Sequence, residues 1–274
     1  MKNIKLHLIA FGIVIIAELI GKHSFNIGIG TIVLLPMLFS LVIGVLTTPK
    51  FLNIAKQKEM DDAGKLITVT LMLLMAKYGT TIGPTISTII KSSPALILQE
   101  FGNLGTVLLG VPLGILLGLK REVIGGAHSI SREPNVALIA ERYGLDSKEG
   151  EGVLGVYIIG TVFGTIFMGV IASLMASAKL FHPYSLAMAS GVGSASMMTA
   201  SVGALVALFP EMTNEITAFG AASNLLSGLD GIYMSIFLAL PLSEKLYKIF
   251  YKLKYKTAPE EAATEKSKEE NNEV

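Results

Sequence analysis

Apolar runs long enough to bridge a lipid bilayer recur along this chain, and no other sequence feature narrows the fold so far. They cover approximately residues 6–21, 27–46, 66–90, 94–119, 153–178, 184–209 and 216–242. A helix needs about twenty residues to cross a hydrocarbon core of about 30 Å. The runs are continuous, whereas outer-membrane strands alternate in polarity over about ten residues. Backbone in lipid must satisfy its own hydrogen bonds, which leaves helices. The expected fold is therefore all-α, a polytopic transmembrane helix bundle. Hydrophobic residues make up 51% of the chain and charged residues 16%, against roughly one quarter charged in soluble domains. Lipid is thus the expected solvent for most of the chain.

The remaining composition excludes several functions. A formal net charge of +1 creates no field to draw nucleic acid. The absence of cysteine removes disulfides, thiolate metal sites and cysteine nucleophiles. His7, His23, His128 and His182 form no pair at helical ligand spacing, so neither a metal nor a cofactor is expected. No GxxxxGK[ST] pattern is present, which argues against ATP hydrolysis by that route. An intramembrane serine enzyme would need a base, and no histidine lies at the centre of an apolar run; the chain is not expected to be an enzyme. Lys2 and Lys5 precede the first run, but no small-x-small site follows and Glu18 interrupts it, so an uncleaved first helix is expected.

The runs and polar stretches divide the chain into a first transmembrane half over 1–119, a polar connection over 120–152, a second half over 153–243, and a stem and tail over 244–274. The connection carries Arg132-Glu133-Pro134-Asn135 and a short amphipathic helix around Val136 to Tyr143. The stem is basic, with Lys245, Lys248, Lys252, Lys254 and Lys256, and the tail from Thr257 lacks aromatics and reads as disordered. The positive-inside rule gives conflicting votes. If all seven runs span, the stem lies opposite the loops at 47–65 and 120–152; a re-entrant 216–242 would place all three on one side. Both topologies stay open.

Small residues at every fourth position mark helix contact ridges in lipid. One ridge is Ala187, Gly191, Ala195, Thr199, Gly203 and Ala207; another is Thr161, Thr165, Gly169, Ser173 and Ser177; a third is Gly110, Gly114 and Gly118. Close packing does not account for the polar atoms of Ser190 to Ser201, where four serines and a threonine accompany Gly191 and Gly193. Buried polar groups need partners or water, so this stretch reads as a broken helix lining a cavity. The bland alternative is back-bonding of each hydroxyl to the preceding turn. Lys77-Tyr78-Gly79-Thr80-Thr81-Ile82-Gly83-Pro84 is a candidate second break. Asn103-Leu104-Gly105-Thr106 and Asn224-Leu225-Leu226-Ser227 form a further matched pair, so an inverted repeat with two discontinuous helices is expected.

Ionisable residues inside apolar runs mark functional sites by default. Glu18 and Glu100 lie near run ends, within reach of water. Lys77 and Asp230 lie deeper, and Asp230 can bind a proton or Na⁺, or pair with Lys77; the two roles are compatible. The candidate ion-coupling residues are thus Asp230, Lys77 and Glu100. The candidate solute-binding residues are Thr80, Thr81, Asn103, Gly191, Gly193, Ser194, Ser196, Thr199 and Asn224. If Asn224 and Asp230 address one cavity, their helix must bend at Ser227-Gly228.

Taken together, Arg132-Glu133-Pro134-Asn135, Ser190 to Met198 and Ala222-Ser223-Asn224-Leu225-Leu226 resemble an uncharacterised prokaryotic integral-membrane family, a domain of unknown function, over nearly the whole chain except its tail. The Gly-Ser break followed by Asn-Leu-Leu is more distantly similar to bacterial lysine exporters and the wider cation-proton antiporter and anion-transporter group. That resemblance implies an inverted-repeat fold with crossed discontinuous helices in a prokaryotic cytoplasmic membrane. Ser227-Gly228 stand where the exporters continue Arg-Glu, a departure that argues against lysine as substrate. The resulting expectation is a secondary transporter of an organic anion or amino acid, coupled to H⁺ or Na⁺. Its expected partners are the bilayer, the solute and, as a candidate, a second copy in a homodimer. A channel or a membrane subunit of a larger complex is the competing class.

Overall fold

A computed structural model describes residues 3–26, 31–128 and 132–256. In chain order the elements are α1 (Ile4–Ile20), β1 (His23–Asn26), β2 (Thr31–Leu34), α2 (Pro36–Leu46), α3 (Gln57–Lys91), α4 (Ser93–Gly102), α5 (Gly105–Leu116), α6 (Glu122–Ala127), α7 (Arg132–Arg142), α8 (Lys148–Ile159), α9 (Thr165–Ser177), α10 (Pro183–Ser190), α11 (Ala195–Leu208), α12 (Thr213–Met234) and α13 (Leu240–Tyr255). Wider π-helical turns at Gly160–Gly164 and Ser235–Ala239 join α8 to α9 and α12 to α13. The fold class is all-α, with one antiparallel hairpin among the described residues. Two compact units interleave along the chain. The first comprises Met1–Leu96 and Gly160–Leu225, and the second Ile97–Ile159 and Leu226–Val274.

In the first unit, Asn3 caps α1 by accepting from the Leu6 amide at 3.2 Å, and its Nδ2 donates to Asp62 at 3.0 Å, tying α1 to α3. Where a span over 27–46 was expected, the structure has a strand followed by a helix of 11 residues; residues 27–30 lie outside the described ones. Thr31, Ile32 and Val33 are β-branched and favour extended backbone. Leu35 is held extended (φ −98, ψ 156) by the proline after it. Pro36 then opens α2, where a missing N–H costs nothing. Helix α9 packs on α11, where a Cβ built on Gly169 would already touch that of Ala200 at 3.4 Å; Ala200 lies one residue off the expected ridge, whose Gly203 meets Leu35 instead.

The expected break at Gly79–Pro84 does not occur, and α3 runs 35 residues with Pro84 inside it. A proline removes one hydrogen bond and a glycine costs about 1 kcal/mol relative to alanine. Neither suffices to end a helix of this length. Here Thr80 Oγ1 donates to the Lys77 carbonyl at 2.7 Å and Thr85 Oγ1 to that of Ile82 at 3.2 Å.

The second unit contains what was read as a polar connection. Its stretch over 120–152 is largely helical and supplies part of a core of Val107, Val111, Ile115, Val123, Ile124, Ile139, Val153, Leu240, Tyr247 and Tyr251. Two members of the third ridge make contacts, Gly110 against Ala127 and Gly114 against Val123, while Gly118 lies past the end of α5 with nothing within 4 Å of an added Cβ. Two glycines bring α6 and α8 into backbone contact. A Cβ on Gly125 would land on the Glu149 carbonyl oxygen, and one on Gly152 on that of Glu122. The lysine stem is helical through Tyr255, and Lys254 Nζ donates to the Ile115 and Leu116 carbonyls at 2.7 and 3.2 Å. It thereby satisfies the exposed end of α5. The tail read as disordered, Thr257 to Val274, lies outside the described residues.

Candidate functional site

The Gly-Ser stretch is a broken helix. Helix α10 stops at Ser190, Gly191 to Ser194 are non-helical, and α11 restarts at Ala195 under an N-cap by Ser194. A break frees backbone carbonyls, and Asn224 takes up two of them: its Nδ2 donates to Gly191 and Gly193, each at 2.9 Å. Ser223 Oγ donates to the Met188 carbonyl at 2.7 Å. This close approach requires glycine, since a Cβ on Gly191 would sit 2.6 Å from the Asn224 backbone nitrogen. At the start of α11, hydroxyls form a chain: Ser194 Oγ to Ser196 Oγ at 2.9 Å, and Ser196 Oγ to Thr165 Oγ1 at 3.1 Å. Thr199 Oγ1 and Ser190 Oγ bond back to the Ala195 and Ala187 carbonyls, the bland alternative for hydroxyls of this kind.

The second constellation lies wholly in the second unit. Asn103 sits between α4 and α5, and its Nδ2 donates to Glu100 Oε2 at 2.7 Å; Ser227 Oγ donates to Glu100 Oε1, also at 2.7 Å. The Asp230 carboxyl lies within hydrogen-bonding reach of Glu100. Glu100 is 4% exposed and Asn103 2%, so the solvated run-end position expected for Glu100 is corrected: α4 turns it inward. Asn103 Oδ1 and Asp230 Oδ1 are both buried without a hydrogen-bond partner among the described residues.

Within the second unit, the bonding neighbour of Asp230 is the Glu100 carboxyl. Helix α12 continues unbroken through Ser227-Gly228, so Asn224 and Asp230 serve different constellations. Asn103 and Asn224 were expected to correspond, yet one donates to a side-chain carboxyl and the other to backbone carbonyls. Lys77 and Thr80 are exposed on α3, away from any break, and the side chain of Thr81 lies outside the described residues.

A polar network that sequence reasoning did not assemble joins α6, α7, α8 and α13. Arg121 pairs with buried Glu149 and lies 3.8 Å from Glu244, with its guanidinium 5.8 Å above the Tyr247 ring. Burial disfavours the Arg121 charge, but the Glu149 carboxylate outweighs it and raises its pKa. The Tyr143 hydroxyl donates to Glu244. Burial, then that bond and the Glu244 charge, push the phenol from 10.0 up to about 12. The unfolded chain therefore loses this proton first, and stability is lost as pH rises from about 10 to about 12. Tyr143→Phe is expected to flatten the fall in melting temperature over that window, and an unchanged slope would remove Tyr143 from the cause.

Neither a curated protein nor a solved structure matches the chain. One family model does, over residues 15–249, and its description is "Protein of unknown function (DUF3100)". That match covers most of the sequence, including both constellations and the Arg121 network, and the chain therefore belongs to the DUF3100 family.

Proposed function

We propose that this protein is an integral-membrane secondary transporter of a small polar solute, an organic anion or amino acid, driven by H⁺ or Na⁺. The observation that carries the reading is the α10–α11 break. It presents a helix N-terminus lined by Ser194, Ser196 and Thr165, with its freed carbonyls held by Asn224. Half-helix N-termini carry partial positive charge, suited to a carboxylate.

Membrane placement has two supports. Ser93–Leu116 and Pro210–Tyr255, of 24 and 46 residues, are long and apolar enough to cross a bilayer. Large apolar side chains also face outward, among them Phe11 and Leu19 on α1, Leu109 and Leu116 on α5, and Leu229 and Phe237 nearer the C-terminus. Water disfavours such a surface and lipid does not. The likeness of the Gly-Ser break and Asn224-Leu225-Leu226 to the exporter group points the same way.

The test is a thermal-stability screen of the purified full chain against organic acids and amino acids at several pH and Na⁺ values, followed by uptake of each stabilising solute into vesicles. A ligand of the folded state raises the melting temperature by mass action. Uptake driven by an imposed H⁺ or Na⁺ gradient is expected. Flux that ignores both gradients would replace the transporter with a channel.

A further inference from the structure

The geometry points to one exchangeable proton held between Glu100 and Asp230, with Asn103 and Ser227 fixing the Glu100 carboxylate, as the ion that drives transport. Its role as driving ion rests on the transporter reading; the bound proton does not.

Two carboxyl groups in hydrogen-bonding reach cannot both be ionised without a proton or cation between them. The neighbours decide which. Each oxygen of Glu100 already accepts from a neutral donor, Asn103 Nδ2 on one and Ser227 Oγ on the other, both at 2.7 Å, with Gln99 Nε2 a further 3.4 Å contact. Donors turned onto both oxygens suit an anionic Glu100. They occupy positions that a hard metal cation would need, since such ions take about six oxygen ligands. Asp230 follows Ser227 by three residues on the same helix, and no basic side chain among the described residues neutralises the pair. One proton shared between the two carboxyls fits.

An independent observation marks the place as a site rather than a chance pair of acids. Asn103 is only 2% exposed, its amide is anchored in the cluster through Nδ2, and its Oδ1 accepts from nothing among the described residues. Asp230 Oδ1 is likewise shut off from solvent without a donor. Buried acceptors without donors are costly, so the cluster is short of hydrogen-bond donors, a deficit that one bound proton reduces. When the pair gives its proton to water, it carries two negative charges and α4 and α12 repel each other at this point. Proton release thus favours a second arrangement of the helices, the differential stability that coupling requires.

Infrared difference spectroscopy of the purified full-length protein, in H₂O and D₂O, reads the proton directly. A carbonyl band of a buried protonated carboxyl that shifts on deuteration is expected near neutral pH. It should be lost or shifted in both Asp230→Asn and Glu100→Gln, each of which removes one of the two carboxyls that share the proton. In vesicles, Asp230→Asn should lose the stimulation of uptake by a pH gradient. A band unchanged in both variants overturns the assignment, and so does one removed by Na⁺ at constant pH, which would make the site a sodium site. A normal band together with no uptake of any solute keeps the proton and sinks the transporter. Uptake by the unaltered protein that ignores a pH gradient overturns the driving role alone.

Discussion

Gly125→Ala is expected to destabilise the second unit by at least ~3 kcal/mol, the upper end of what overpacking costs. At this chain length that corresponds to a fall in melting temperature of roughly 10 °C. The clash falls on backbone, the carbonyl of Glu149 in α8, so no side chain can rotate to relieve it. Gly152→Ala meets the Glu122 carbonyl at the same crossing and should do the same. Gly155, three residues further along α8, would have nothing within 4 Å of an added Cβ and serves as the control. Alanine there should leave the protein unharmed or raise stability by up to about 1 kcal/mol through helix propensity. Circular dichroism melts in detergent decide it: equal melting temperatures for Gly125→Ala and Gly155→Ala would mean that α6 and α8 do not cross this closely.

Asn224→Asp is the second large effect, and it falls on folding and activity together. The substitution keeps shape but exchanges two amide N–H donors for an acceptor, facing the Gly191 and Gly193 carbonyls. Each carbonyl left unpaired costs about 1–3 kcal/mol. The break would then lose the geometry that aims α11, and small misplacements of binding groups cost roughly a hundredfold in rate. Uptake of any stabilising solute should fall by about that factor, along with the stabilisation itself. Retained uptake in Asn224→Asp would show that the break is held by other means and that the solute binds elsewhere.

What could be read from the sequence divides along the range of the interaction. The helical class followed from continuous apolar runs, a local property. The α10–α11 break was also legible, because Gly191, Gly193 and Ser194 specify it within four residues and Ser194 is a good cap. Gly79, Gly83 and Pro84 carry the same local signal, yet α3 continues through them. The difference lies outside the segment: at one place Asn224 receives the freed carbonyls, at the other nothing comparable is found among the described residues. Asn224 itself could be nominated as a site residue, but its partners could not. Glu100 and Asp230 stand far apart in the chain, and periodicity carries no information about which of several buried acids meet. The crossing of Gly125 and Gly152 was invisible for a further reason. It pairs backbone with backbone, and two glycines in a polar stretch look like a loop until a second helix is laid across them.

The π-helical turn at Ser235–Ala239 changes how residues on the two sides of it should be compared. Such a turn accommodates one residue beyond the α-helical count, which offsets everything after it by about 100° around the axis, one residue's share of a 3.6-residue turn. Ser227 and Asp230 before it, and Tyr247 and Tyr251 after it, therefore belong to two rotational frames, and a single helical wheel drawn over all four would misplace one pair. Ser235 Oγ, donating to the buried Asn135 Oδ1 at 2.6 Å, pins the frame shift to α7. Shortening the chain by one residue inside this turn should convert it to plain α-helix and swing the α13 tyrosines out of register with α5 and α6, so the extra residue acts as a phase adjuster between the proton pair and the aromatic end of the same helix.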